Sequence, residues 1–469
     1  MYNTSNVLLD GGFRKLIVPV IAATLSIPVV MFSLMGYDIN PAFLLAPVIA
    51  LAFFVRFSKI SAVFALSAAL GGVSVVVANT FSPDGQLTRH LLSLLLVMFA
   101  PGFLFLGRFL AGREGVDRII FWLSVFSTIF VVVISARIFI LGEAVRIYLG
   151  PLGYSAMNAE FLGVPVFASF GVLSLAHLIC LQAIIMCGSI ISASSNVYVR
   201  CCFVVGLVCS SFLIIGSDSR SAQMLLVWIL ATAILYAIRN PSSWKLVGLV
   251  VASILLSGVI TYARGMNENR MLDSIEAITS EPVETHVIVA GASSEVVAEQ
   301  QTTKHGGGQA SEVASDDTVQ RFTRKADAFA TGRVELAVEG FKEVLKSPFI
   351  GNGFSGYGRY SVGDNSRSLV ENTSTHIYYL TLLWKGGLIF FVPFIAMLVI
   401  NFKEAWSARP RTDGSPEYFF AWGAVFMAFG PMALAWDILI VPSAGALAFF
   451  LFGMLSGYKN FVESHTAKL

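Results

Sequence analysis

The stretch WKLVGLVVASILLSGVITYARGMNENRMLDSIE, residues 244–276, decides how this chain is built. As far as Ala263 its only charge is Lys245, and that segment is long enough to cross a bilayer, whose core of about 30 Å takes about 20 helical residues. From Arg264 the pattern turns polar and stays so to Thr375, after which an apolar run resumes. Nearly all of residues 1–263 carry the same membrane pattern. The expected fold class is therefore all-α, a polytopic transmembrane helical bundle with one large loop, and the loop is where chemistry is expected.

Composition agrees. Hydrophobic residues make up 56% of the 469 and charged residues only 13%, whereas soluble domains carry about a quarter charged. The net charge of +2 gives no basic excess of the kind that binds nucleic acid. Cys180, Cys187, Cys201, Cys202 and Cys209 all lie in apolar runs, so neither a disulfide framework nor a zinc spacing is written here, and no metal or cofactor is expected.

Apolar runs bounded by charged or Gly/Pro/Asn clusters predict about twelve spans, near 16–36, 42–55, 60–79, 91–111, 119–140, 166–193, 199–216, 221–239, 244–263, 376–402, 418–436 and 438–457. The run from Leu16 to Gly36 is too long for the 7 to 15 residue apolar core of a cleaved signal, so a retained first helix is expected. The last two spans are joined only by Asp437. The chain thus divides into an N-terminal bundle of about nine spans (1–263), a loop (264–375) and the C-terminal spans (376–469). Lys and Arg gather on alternate connections, with Arg14, Lys15, Arg56, Lys59, Arg108, Arg113, Arg118 and Lys403 on one side and only Arg89, Arg137, Arg146 and Arg220 in short connections on the other. By the positive-inside rule both termini are cytoplasmic and the loop faces outward, which in a bacterium is the periplasm of the inner membrane. Residues 137–150 mix Arg137, Glu143 and Arg146 with Ile and Leu; they read equally as a helix in the headgroup plane or as an extension of the fifth span.

Within the loop, residues 267–317 are rich in Ser, Glu, Gln, Thr and Gly and predict a mobile insert that does not carry the site. Over 325–346, Val334, Ala337, Val338, Phe341, Val344 and Leu345 recur at helical spacing with Glu335, Glu339, Lys342 and Lys346 opposite, which predicts an amphipathic helix lying on the bundle or the membrane surface. Thr331-Gly332-Arg333 stands at its start, where free N–H groups and an Arg favour an anion; Arg333 reads otherwise as a solvated charge. Gly351, Gly353 and Gly356 spell G-x-G-x-x-G, but the βαβ context of a dinucleotide site is missing, and the glycines are expected to let the backbone turn tightly against the bundle. Ser374 or Thr375 is expected to cap the following helix, with His376 in its first turn, where a neutral imidazole is suited to taking a proton near pH 7. Gly216-Ser217-Asp218-Ser219-Arg220 is a second polar cluster at the outer face. Arg220 either snorkels to lipid phosphates or holds a diphosphate in its planar fork. Arg264 and Arg270, after the ninth span, rank behind it for the same role.

The order Ser219-Arg220 opening a span, Thr331-Gly332-Arg333 with an amphipathic segment ending at Pro348 to Gly353, and an outer-face His376 leading into a span bent at Gly386-Gly387 resembles the O-antigen ligase and O-antigen polymerase superfamily. The resemblance covers roughly residues 200–402. It implies an undecaprenyl-diphosphate-linked glycan as donor, and lipid A core (ligase) or another lipid-linked glycan (polymerase) as acceptor. It also implies that Arg220 and Arg333 hold the diphosphate while His376 is general base. A chain-length regulator and membrane lipid are the further partners this reading admits. An inverting displacement needs an activated hydroxyl and a stabilised leaving group, and two guanidinium groups can take the place of a metal; each is worth about 3 kcal/mol. Ile377 follows His376 where the family commonly has Asn, and the 267–317 insert is long for a ligase, so ligase and polymerase both stay open. A polysaccharide transporter or flippase is the alternative from another class, but no internal repeat is visible and His177 is the only titratable group well inside a span. The expectation to test is that Arg220, Arg333 and His376, separated by 113 and 43 residues, converge on a cavity that opens sideways to lipid.

Overall fold

The structure is a computed structural model that describes residues 11–28, 32–34, 37–39, 41–55, 57–81, 87–141, 147–149, 154–156, 160–161, 164–165, 172–193, 196–217, 219–263, 333–354, 375, 377–408, 415–435 and 437–466. Its body is a bundle of helices. In chain order they are α1 (Gly11–Ser26), α2 (Ala46–Val55, after a 3-10 turn at Pro41–Leu45), α3 (Lys59–Phe81), α4 (Leu87–Glu114), α5 (Val116–Leu141), α6 (Val172–Ser192), α7 (Val197–Gly216), α8 (Arg220–Arg239), α9 (Trp244–Ala263), α10 (Arg333–Lys346), α11 (Tyr378–Ser407), α12 (Pro416–Met427) and α13 (Pro442–Thr466). Among the described residues strands occur only as three short antiparallel hairpins in connections: Phe32–Leu34 with Tyr37–Ile39, Ile147–Leu149 with Tyr154–Ala156, and Glu160–Phe161 with Val164–Pro165. Among the described residues nine helices are long and apolar enough to cross a membrane, and three shorter apolar helices accompany them at Leu16–Ser26, Pro41–Val55 and Pro442–Tyr458.

Two expectations are corrected here. The helix expected to run to Gly36 stops at Ser26, because Pro28 forces the residue before it out of the helical region; a hairpin follows. The segment 137–150 is neither a separate interfacial helix nor a full extension of α5, which ends at Leu141 before the strand Ile147–Leu149. The span expected from 166 is described from Val172 onward, and 166–171 lie outside the described residues.

Helix starts are written in the sequence. Asn196 accepts from the Val199 N–H at 3.2 Å, and Ser415 accepts from Tyr418 at 3.3 Å with Pro416 at the first helical position. Inside the bundle, where lipid and protein are equally apolar, close approach and polar ties hold helices together. Helices α4 and α13 run parallel at backbone contact: a Cβ on Gly453 would lie 1.9 Å from the Leu104 carbonyl oxygen, one on Gly457 2.5 Å from that of Arg108, and one on Gly107 2.1 Å from that of Phe450. Gln182 donates to the Ser26 carbonyl at 2.8 Å, Ser124 and Ser189 share a bond of 2.8 Å, and Asn401 donates to Phe452 at 3.1 Å. At one end of the bundle Arg108 pairs with Glu404 at 2.6 Å and Ser415 donates to Asp117. The opposite end holds the candidate site.

Candidate active site

Arg220 stands at the first position of α8. Ser219 caps that helix by accepting from the Ala222 N–H at 3.3 Å, Ser217 donates to the Ile214 carbonyl at 2.7 Å, and Gln223 Nε2 donates to Ile215 at 3.1 Å. The polar turn between α7 and α8 is thereby tied to its own helix ends, with Ser217 and Ser219 buried. A guanidinium fixed at a helix N-terminus adds its charge to the positive end of the helix dipole, so this corner favours an anion.

Opposite it lies the entry to α11. That helix begins at Tyr378, and its cap position, Ile377, makes no side-chain cap bond. The expected cap by Ser374 or Thr375, with His376 in the first turn, is thus corrected: the helix starts after His376. Thr375 is engaged elsewhere. Its N–H donates to Thr381 Oγ1 at 3.1 Å, its hydroxyl lies 2.7 Å from the same oxygen, and Thr381 Oγ1 donates to Asp437 Oδ2 at 3.1 Å. Asp437 is 7% exposed, while Thr375 and Thr381 are fully buried. Helix α10 rests on this knot, since a Cβ on Gly340 would lie 2.3 Å from Thr375 Cγ2.

Both helices that follow are broken. Gly387, at φ 62° and ψ −178°, interrupts α11, a backbone state open essentially to glycine alone. The break frees carbonyls and N–H groups inside a membrane-spanning segment, where no water can satisfy them. Residues Pro348 to Gly353 do so: Asn352 and Gly353 donate to the Trp384 and Lys385 carbonyls at 3.0 and 2.9 Å, while Leu388 and Ile389 donate to Pro348 and Phe349 at 2.9 and 3.0 Å. Gly351 (φ 77°) and Gly353 (φ 78°) allow the approach, a Cβ on Gly351 lying 2.4 Å from the Gly387 nitrogen. Gly351 and Gly353 therefore do turn the backbone tightly against the bundle, while Gly356 lies outside the described residues. Helix α12 gives way to a π turn at Ala428–Met432 holding Gly430 and Pro431, whose Phe429 carbonyl accepts from the Tyr379 hydroxyl at 2.6 Å.

Between these elements lies a cavity of about 960 Å³. Arg220, Met224 and Trp228 of α8 line one wall, Ala337, Phe341 and Lys342 of α10 another, and Ile377, Leu380, Pro431 and Leu434 the rest. Nearly all of the lining is apolar, with Arg220 and Lys342 supplying the charge. Of the residues singled out from sequence, Arg220 lines the cavity directly. Arg333 opens α10, whose next turns line it, but its side chain, together with His376, Arg264, Arg270 and the 267–317 insert, lies outside the described residues; Ile377, adjacent to His376, is in the wall.

The amphipathic helix is described over Arg333–Lys346, with 325–332 outside the described residues, and its apolar face is divided. Gly340 and Val344 are buried against the bundle, whereas Val338, Phe341 and Leu345 are 47%, 54% and 63% exposed. Lys342 is corrected from the opposite face to the cavity side: it lies one turn from Val338 and beside Phe341. Asp437 is more than the joint between two spans. Its signal was available, a lone carboxylate among apolar residues, which in a membrane segment costs several kcal/mol unless paired or used.

Residues 205–395 match the family model described as O-antigen ligase. No curated protein matches the chain.

Proposed function

We propose, from the match of residues 205–395 to the O-antigen ligase family model, that this protein transfers an undecaprenyl-diphosphate-linked glycan to a sugar hydroxyl at the periplasmic face of the inner membrane. The observation that carries the reading is the cavity itself: it is apolar enough for a lipid tail, is lined at one corner by a guanidinium on a helix N-terminus, and has Ile377, the neighbour of His376, in its wall.

In this reading the acceptor hydroxyl oxygen attacks the anomeric carbon from the face opposite the diphosphate. The anomeric C–O bond breaks, the configuration inverts, and the electron pair leaves with the diphosphate, whose charge Arg220 and Arg333 receive, with Arg264 as a further cation. The acceptor proton passes to His376. The chain of bonds from Asp437 through Thr381 to Thr375 makes Asp437 a positioning residue, since it anchors the backbone on both sides of His376. Asn after the histidine, common in the family, is Ile377 here, and this chain supplies that anchoring from Asp437.

The test is complementation of two hosts, one lacking its O-antigen ligase and one its polymerase, read as a surface glycan ladder. Wild type is expected to restore lipid A-linked glycan in the first or a multi-repeat ladder in the second, which assigns the acceptor, and His376→Ala is expected to restore neither at equal expression. A fully active His376→Ala overturns the assignment and brings the transporter or flippase reading forward.

A further inference from the structure

Helix α10 turns an apolar stripe outward, Val338, Phe341 and Leu345, and Phe349 continues it at 66% exposure just beyond the helix. On a helix that packs its narrow side, Gly340 and Val344, onto the start of α11, such a stripe is satisfied by lipid at the level where α8 and α11 begin. Lys342 lies along the margin of that stripe and on the cavity wall. Among the described residues no acidic group pairs with it, whereas the next lysine, Lys346, is paired with Glu343. A cation on the rim of an apolar chamber that Arg220 also lines suits an amphiphile with a long apolar tail and a phosphate head. Lysine, a compact charge on a flexible stem, can follow such a head as it slides in from the bilayer.

We propose that Lys342 is an additional anion anchor of this cavity, holding the phosphate of a lipid that enters between α8 and α10. The inference rests on the glycan-transfer reading only for the identity of that lipid: the phosphate belongs either to the lipid-linked donor or to a bilayer phospholipid at the entrance.

The experiment measures lipid binding to the full purified chain in detergent by native mass spectrometry, with undecaprenyl diphosphate, undecaprenol and phosphatidylglycerol as probes. Lys342→Gln is expected to weaken binding of undecaprenyl diphosphate about fivefold, the worth of one partly exposed charge pair, to leave undecaprenol unchanged, and to be rescued by Lys342→Arg. A loss confined to phosphatidylglycerol assigns the anchor to bilayer lipid at the entrance instead of the donor. Equal binding of both phosphate lipids by wild type and Lys342→Gln overturns the proposal. Arg220→Gln, measured in parallel, separates the two readings. If only Arg220→Gln loses the diphosphate, the glycan-transfer reading stands without Lys342; if wild type fails both complementations yet shows the Lys342-dependent binding, the anchor stands and the transfer reading falls.

Discussion

At the scale of single residues, Asp437 is costly to place. A carboxylate 7% exposed among apolar spans is tolerated only with partners, and here Thr381 donates to it while Thr375 is tied in turn to Thr381. Removing such an acceptor leaves buried donors unsatisfied, a loss of about 1–3 kcal/mol. Asp437→Ala is therefore expected to lower kcat of glycan transfer by about ten- to a hundredfold with KM for the donor changed little, because the residue positions the His376 segment and does not meet the lipid. Loss of donor affinity with kcat intact would place Asp437 on the substrate side instead. Arg220, Arg333 and His376 were legible as candidates from residue type and order, since a few polar residues in an apolar chain are conspicuous. Lys342 and Asp437 were not: one was grouped with solvated charges on its helix, and the other looked like a joint.

At the scale of elements, the instructive pair is α11 and the segment Pro348 to Gly353. A Gly386-Gly387 pair in an apolar run announces a bend, and a run of glycines after an amphipathic helix announces a tight turn, but nothing local says that each completes the other. The four hydrogen bonds between them replace those α11 forgoes at Gly387. Gly387→Ala puts a side chain into a conformation that costs about 1–3 kcal/mol, and its Cβ would meet the Phe349 carbonyl oxygen at 2.4 Å. The expected result is a lower melting temperature of the purified protein and a fall in glycan transfer, since α11 carries the site at its start. Unchanged melting would mean that the break is adopted without the segment. The hairpin after Ser26 shows the reverse case: an apolar run of the right length for a span reads as a helix to Gly36, yet Pro28 ends it locally.

At the scale of the whole molecule, the closest packing joins α4 and α13, helices more than three hundred residues apart, through Gly107, Gly453 and Gly457 at backbone contact. With no hydrophobic drive between helices in lipid, such contacts supply much of the association. Gly453→Leu is expected to abolish stable folding, read as loss of the monodisperse peak in size exclusion, while Leu95→Ala, on the exposed side of α4, leaves it intact. A well-folded Gly453→Leu would show that the two helices can part without consequence. The amino-acid sequence by itself determined that the chain is a polytopic helical bundle, that a polar interruption follows Ala263, and which polar residues are candidates, because hydropathy and helix period are properties of neighbouring residues. Only the tertiary structure decided that α10 lays Gly340 on Thr375, that Pro348 to Gly353 fills the break in α11, and that Arg220, Lys342 and Ile377 share one cavity. Those arrangements depend on side-chain volumes and freed backbone groups meeting across long separations in the chain, and no local pattern encodes which distant partner will satisfy them.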